Sequence, residues 1–438
     1  MTDLEDVELE DIVGTLPTEA NEAAEVQGSD VSANQKNTAE LDQQPAVKSL
    51  LLVMICIVQA YATTNGPLRH KFKVALNIQD SGAVSEVFTQ AAVFVQYGKF
   101  AMTLGQNILL GSISPKLRVW LSMALVCLGA LVIPLVVYTF NCTGLWTVFV
   151  AYGMIGLGLG IFECTFLSVI TPLGKLTKAW AIMGFPAAFG IINIVMMTFV
   201  SVGLPVSAVF WYVFASIPIG ALVFGFRAPV DAQHTAKKSE FEQVTFRESM
   251  LDWRSWTLKL IPLALANCIS HFVMENVGPA AFDTFNGPQV ALFDPRSADS
   301  HLMNTDRYLV VLNIFLLVGD IGSRRLAYCF KFDTSRAIVL ALGFAVSLSV
   351  LGFLLASLGI ASLTWIAVFC AFAGSGFNYG VASKYIDGLI PKRHNLIAYS
   401  MWMFVGYAGA IAGSATVGVT RRWICEGQSY PLECLSHR

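Results

Sequence analysis

Charge is what this sequence has least of. Only 13% of its 438 residues are Asp, Glu, Lys or Arg, while 55% are hydrophobic; ordinary soluble domains carry roughly 25% charged residues. Such a chain cannot cover a water-facing surface, so a soluble globule is excluded. Further absences narrow the chemistry. Neither HExxH nor CxxC occurs, and no Ser/His/Asp order stands out. The glycines from Gly153 to Gly160 run G-x-x-G-x-G-x-G with no strand before them, which excludes a dinucleotide fold. The bases are spread over loops and form no basic face, so nucleic acid is not an expected partner. Seven of the nine cysteines lie in or beside apolar segments at no metal-ligand spacing. No enzyme, metal or cofactor is expected. Cys425 and Cys434, close together in a polar tail, can pair if that tail faces an oxidising lumen.

What remains is an all-α polytopic membrane protein. Apolar segments near 48–66, 86–111, 118–139, 145–170, 179–202, 205–226, 256–276, 307–329, 337–358, 361–386 and 396–420 are each long enough, at about 20 residues, to span a bilayer. A twelfth in 279–294 is opposed by Asp283, Pro288 and Asp294. Five domains follow. Residues 1–47 are an acidic, disordered cytosolic tail holding 12 Asp/Glu and one Lys. Residues 48–226 form a six-helix bundle, 227–255 a cytosolic linker, 256–420 a second bundle and 421–438 a polar tail. No basic n-region precedes an early apolar core, so no cleavable signal peptide is expected. One set of loops carries fifteen Lys/Arg against seven on the other side, which places the richer set in the cytosol. The sequon at Asn141 then faces the lumen, as N-glycosylation requires. Arg421-Arg422 at the exit of the last segment runs against that assignment.

The two halves echo each other. At an offset of 219, Pro172, Ala179, Phe185, Gly190 and Ile192 match Pro391, Ala398, Phe404, Gly409 and Ile411. Parallel repeats of this kind build major-facilitator transporters.

The chain is organised around 153–168, where Gly156, Gly160 and Glu163 share one helix face. Small residues at that spacing admit a close neighbour. Burying the acid bare in hydrocarbon costs at least about 2.5 kcal/mol, so it marks a functional site by default. The 86–111 segment aligns Gln96, Lys99, Thr103 and Gln106 in one stripe. Asn313, Asp320 and Arg324 do the same in 307–329, with Asp320 and Arg324 a favourable i,i+4 pair. His271 and Glu275 are likewise spaced and can bond to each other. The 361–386 segment carries Asn378 in a glycine-rich run, then meets Lys384 and Asp387, which can snorkel to the interface together. Inward ionisable groups of both signs suit a small polar or charged solute, with protons as a second partner. Glu163 would take up a proton or bind a cationic group, and Lys99 and Arg324 would offer charge to an anionic head. The bilayer is the remaining expected partner; oligomeric state is not legible.

Four blocks give the chain a family likeness. They are Gly160-Ile-Phe-Glu-Cys-Thr-Phe-Leu-Ser168, the stretch from Leu260-Ile-Pro-Leu263 through His271 to Gly278, Ser323-Arg324, and Gly374-Ser-Gly-Phe-Asn-Tyr379 onward to Cys425. In these blocks 150–425 resembles the battenin family, lysosomal and vacuolar membrane proteins of the major facilitator clan. The resemblance implies a major-facilitator-like fold of about eleven transmembrane helices in bundles of six and five. It also implies a lysosomal or vacuolar membrane, a role in organelle pH and basic amino acids, and export of glycerophosphodiesters. Three departures stand out: His271 or Glu275 stands for the family's Glu-Tyr glutamate, Arg325 replaces a serine, and the last residues, Leu435-Ser-His-Arg438, hold no prenylation box. Asp320-x-x-x-Arg324 after Asn313 is also similar to the equilibrative nucleoside transporters, which would imply the plasma membrane. A third reading, a non-transporting scaffold or sensor, leaves the buried ionisable groups without a purpose.

Overall fold

In a computed structural model the described residues are 45–64, 67–78, 83–228, 246–285, 289–293, 301–330 and 335–427. The acidic head up to residue 44 and Cys434 lie outside them, as does the side chain of Cys425, so the proposed disulfide does too. Long apolar runs become helices because a backbone in lipid must satisfy its own hydrogen bonds. They are α1 (Leu50–Ala62), α2 (Pro67–Ala75), α3 (Ala83–Leu109), α4 (Pro115–Thr139), α5 (Leu145–Ile170), α6 (Lys175–Ser201), α7 (Val206–Arg227), α8 (Phe246–Leu251), α9 (Trp253–Thr284), α10 (Thr305–Cys329), α11 (Ser335–Ser357), α12 (Ala361–Leu389) and α13 (Asn395–Gly427). Eight of these are long and apolar enough to cross a membrane. The 27 residues of α3 and 25 of α10 give them the length too, but they carry the polar stripes.

Local chemistry sets several boundaries. Pro67 and Pro115 open α2 and α4, where a missing N–H costs nothing. Gly174, at φ +85°, turns the chain between α5 and α6. Asn304 caps α10 by accepting from the Asp306 N–H at 2.9 Å.

Four expected boundaries move. The first segment is not one span: α1 has 13 residues and a separate α2 starts at Pro67. The linker is shorter than 227–255, because α8 forms inside it and α9 begins at Trp253. The segment expected to end at 276 runs on as α9 to Thr284, and Gln289–Ala291 pairs antiparallel with Leu302–Asn304. The tail from 421 is helical to Gly427, so Arg421 and Arg422 belong to α13.

The halves pack alike. In the first, α3 and α4 lie on α5 and α1 lies on α6; in the second, α10 and α11 lie on α12 and α9 on α13. The α5–α6 junction therefore corresponds to the α12–α13 junction, where the sequence echo falls. One pairing has no counterpart among the described residues: α7 covers α1 and α4, and nothing repeats it in the second half. The bundles meet where α3 and α5 touch α13 and where α6 touches α10, and Ala46–Arg438 forms one compact unit.

The small-residue stripe does what its spacing implies. A Cβ on Gly160 would meet the Lys99 carbonyl oxygen at 2.6 Å, and one on Gly156 would strike the Val95 backbone. Glycine there brings α5 onto α3 at the level of Lys99. Gly160→Leu should cost about 1–3 kcal/mol as the helices part, seen as a lower melting temperature in detergent. Gly418→Leu, where a Cβ meets nothing within 4 Å, should leave it unchanged.

Candidate functional site

Lys99 is fully surrounded. Its ammonium lies 3.0 Å from Glu163 Oε1 on α5. It also sits 4.3 Å from the centre of the Tyr61 ring (α1) and 4.4 Å from that of Tyr407 (α13), within the range of a cation–π attraction. Phe185 on α6 adds a third face at 5.5 Å.

Both tyrosines reach into the opposite bundle. The Tyr407 hydroxyl donates to Glu163 Oε2, and the Tyr61 hydroxyl donates to Glu275 Oε1 on α9 at 3.0 Å. Gln96 Nε2 donates to the same Glu275 oxygen at 3.1 Å and to the Tyr61 hydroxyl. Each bundle thus supplies a tyrosine to the other's carboxylate, and the two rings share one ammonium.

Arg324 lines the same space from α10. Its Nε lies 2.5 Å and its Nη2 3.1 Å from the two oxygens of Asp320, the bidentate geometry of a strong pair. Nη1 donates to the Ile182 carbonyl of α6 at 3.3 Å, and the Tyr379 ring lies 4.3 Å away. Gln96, Lys99, Glu163, His271, Glu275 and Arg324 all line one cavity of ≈ 20 Å³ at the bundle seam. That volume holds a single water, so the bundles are closed on one another.

Other candidates fall elsewhere. His271 and Glu275 do not bond: His271 Nδ1 lies 3.1 Å from the Asn267 carbonyl, while Glu275 turns to Tyr61 and Gln96. A carbonyl only accepts, so Nδ1 carries the hydrogen. Asn378 is buried one layer away, donating to Asn267 Oδ1 at 3.3 Å, and ties α12 to α9. Lys384 lies outside the cavity and donates to the Phe330 carbonyl. Thr103 and Gln106 also leave the stripe for packing, Gln106 accepting from Thr165 at 2.6 Å. Asn141 is exposed with φ +53°, and Thr143 is exposed beside it.

Asp387 does not pair with Lys384. It pairs across the seam with Lys178 at the start of α6, and accepts from Asn395 at 2.8 Å and Tyr399 at 3.1 Å. Lys178 also donates to Thr171 at 2.8 Å and Tyr399 at 3.0 Å. This second tier closes the end of the seam where the basic loops lie. Sequence reasoning missed it because Lys178 reads only as one more loop base.

Near that end Ser249 Oγ lies 2.8 Å from His394 Nδ1, and His394 Nε2 lies 3.3 Å from Asp252. This looks like a hydrolase triad, but Ser249 has no exposed surface and Trp256 stacks on the imidazole. It is a clip fastening α8 to the α12–α13 turn. Burial and the adjoining Arg393 hold the His394 imidazole below its ordinary value, against the pull of Asp252. The clip's contribution is therefore full above the ordinary histidine value, about pH 6.5, and is lost progressively as pH falls from there through the lowered value. Trp256 fluorescence, taken as the difference from Trp256→Phe, should change at a pH below the ordinary histidine value, and His394→Gln should abolish the transition.

Among the described residues no three His, Cys, Asp or Glu side chains gather as a metal site. No protein-family model matches the chain, and a comparison with curated proteins finds no match. Solved structures do match. The Escherichia coli fucose:proton symporter is 15% identical with a TM-score of 0.56, covering 88% of this chain and 95% of its own. The human organic anion transporter MFSD10 is 14% identical with a TM-score of 0.59, covering 90% of this chain and 98% of its own. The fold is that of the major facilitator superfamily. The eight long apolar helices make the chain an integral membrane protein.

Proposed function

We propose that this protein is a secondary transporter that moves a small polar solute by alternating access of its two bundles, coupled to protons. The observation that carries this reading is the closed cavity at the seam, lined by ionisable groups from both halves and crossed by their reciprocal tyrosine–carboxylate bonds. A scaffold has no use for six polar or charged groups around one water-sized space. Rocking of one bundle against the other would part those bonds and admit a solute. The resemblance of 150–425 to battenins supports a lysosomal or vacuolar membrane, with basic amino acids or glycerophosphodiesters as the solutes to try first.

Proteoliposomes with an imposed pH gradient test this. Saturable, protonophore-sensitive uptake of a radiolabelled basic amino acid or glycerophosphodiester is expected. Adenosine uptake indifferent to the gradient would instead favour a nucleoside carrier. No flux of any of the three would overturn transport.

A further inference from the structure

The charges around the cavity do not cancel. Lys99 and Arg324 face three carboxylates, Glu163, Asp320 and Glu275, which leaves a net −1. The cations are committed: Lys99 to Glu163 at 3.0 Å, and Arg324 to Asp320 at 2.5 Å. Glu275 is the carboxylate left over. No described cation lies within 4 Å of it, and its support is neutral, from Tyr61 and Gln96. Both of those donors bind Oε1, and Oε2 accepts no hydrogen bond from a described residue. A bare carboxylate charge at this depth is costly, and the cavity beside it has room for one water.

We propose that Glu275, and not Glu163, is the proton-binding carboxyl of the cavity, loading its proton on Oε2 while Tyr61 and Gln96 hold Oε1. The proposal refines the transport reading above and rests on it only for the proton's use. The occupant is a proton because the cavity beside Oε2 has room for no more than a single water. Around Glu275 the other titratable or charged groups are Tyr61, Lys99, Glu163, Arg324 and Tyr407, with Tyr379 on α12 and His271 one turn away on its own helix. Each of the other carboxylates has its cation already, so adding a proton there would break an ion pair. At Glu275 it removes an uncompensated charge.

Infrared difference spectroscopy of the full chain reconstituted in lipid, stepped between acid and alkaline buffer, reads this directly. Beside the bands of the solvent-exposed carboxyls, which all variants share, one further C=O stretch of a protonated carboxylic acid should appear on acidification, vanish in Glu275→Gln and persist in Glu163→Gln. If that further band survives in Glu275→Gln, or is lost in Glu163→Gln alone, the assignment is overturned. Where Glu275→Gln does not fold, Tyr61→Phe serves. Removing a donor to the carboxylate should move the band's midpoint to higher pH, and an unmoved midpoint overturns the proposal. Exchanging sodium for choline at fixed pH should leave the band in place; a sodium-dependent shift would overturn the proton as occupant. The readout needs no solute. Titration without flux defeats the transport reading alone, and flux without this band defeats this inference alone.

Discussion

Lys99→Met destabilises the protein by about 3–5 kcal/mol, and adding Glu163→Gln to it recovers most of that loss. The reason lies in what is left behind. With the ammonium gone, Glu163 keeps one hydroxyl, from Tyr407, and loses its ion-pair partner. A buried pair broken from one side leaves an uncompensated charge, whereas removing both partners is often nearly neutral. Glu163→Gln alone should cost less, because the Lys99 ammonium retains the Tyr61 and Tyr407 faces. Melting curves of the two single variants and the double variant in one detergent check the ordering. Equal losses in Lys99→Met and in the double variant would mean that the pair contributes packing and not charge.

Lys178→Met acts on the bundles' arrangement. Lys178 is buried and Asp387 nearly so, and only the closed seam brings them together. Removing the cation leaves Asp387 with Asn395 and Tyr399 on its own bundle and, across the seam, one long bond from Thr171 at 3.4 Å. The closed state alone loses, by about 3 kcal/mol or more, which is roughly a hundredfold shift in population. Amide hydrogen exchange should rise by that order in Lys175–Ala181 and in the Lys392–His394 turn. Lys178→Asp combined with Asp387→Lys should restore protection, and if it does not, the tier is not an electrostatic link.

Local features were legible in the sequence and distant ones were not. Apolar length gives the helices, because lipid leaves the backbone no other choice. The Gly156–Gly160–Glu163 stripe and the Asp320–Arg324 pair are helix-surface neighbours, fixed by a 3.6-residue period, and the structure keeps both. The same logic misled at Asp387, where the nearby Lys384 seemed its partner but the actual cation is 209 residues away. His271 and Glu275 share a face, yet each finds a better partner, Asn267 within α9 and Tyr61 across the seam. Tyr61 and Tyr407 carried no signal, since an aromatic in an apolar run looks like any other until the opposite bundle is in place. Fold class needs periodicity alone, whereas a cavity between repeats needs the packing.

The two cross-seam tiers differ in kind. At the Lys178 end the halves are riveted by opposite charges, and at mid-depth by two phenolic hydroxyls and one ammonium held in common. Charge reaches further than a hydroxyl, so the rocking proposed above would part the middle first, with the riveted end as its fulcrum. On the proposed rocking motion, the mouth that opens first is the one farther from Lys178, and a solute entering there meets Glu275 before Glu163.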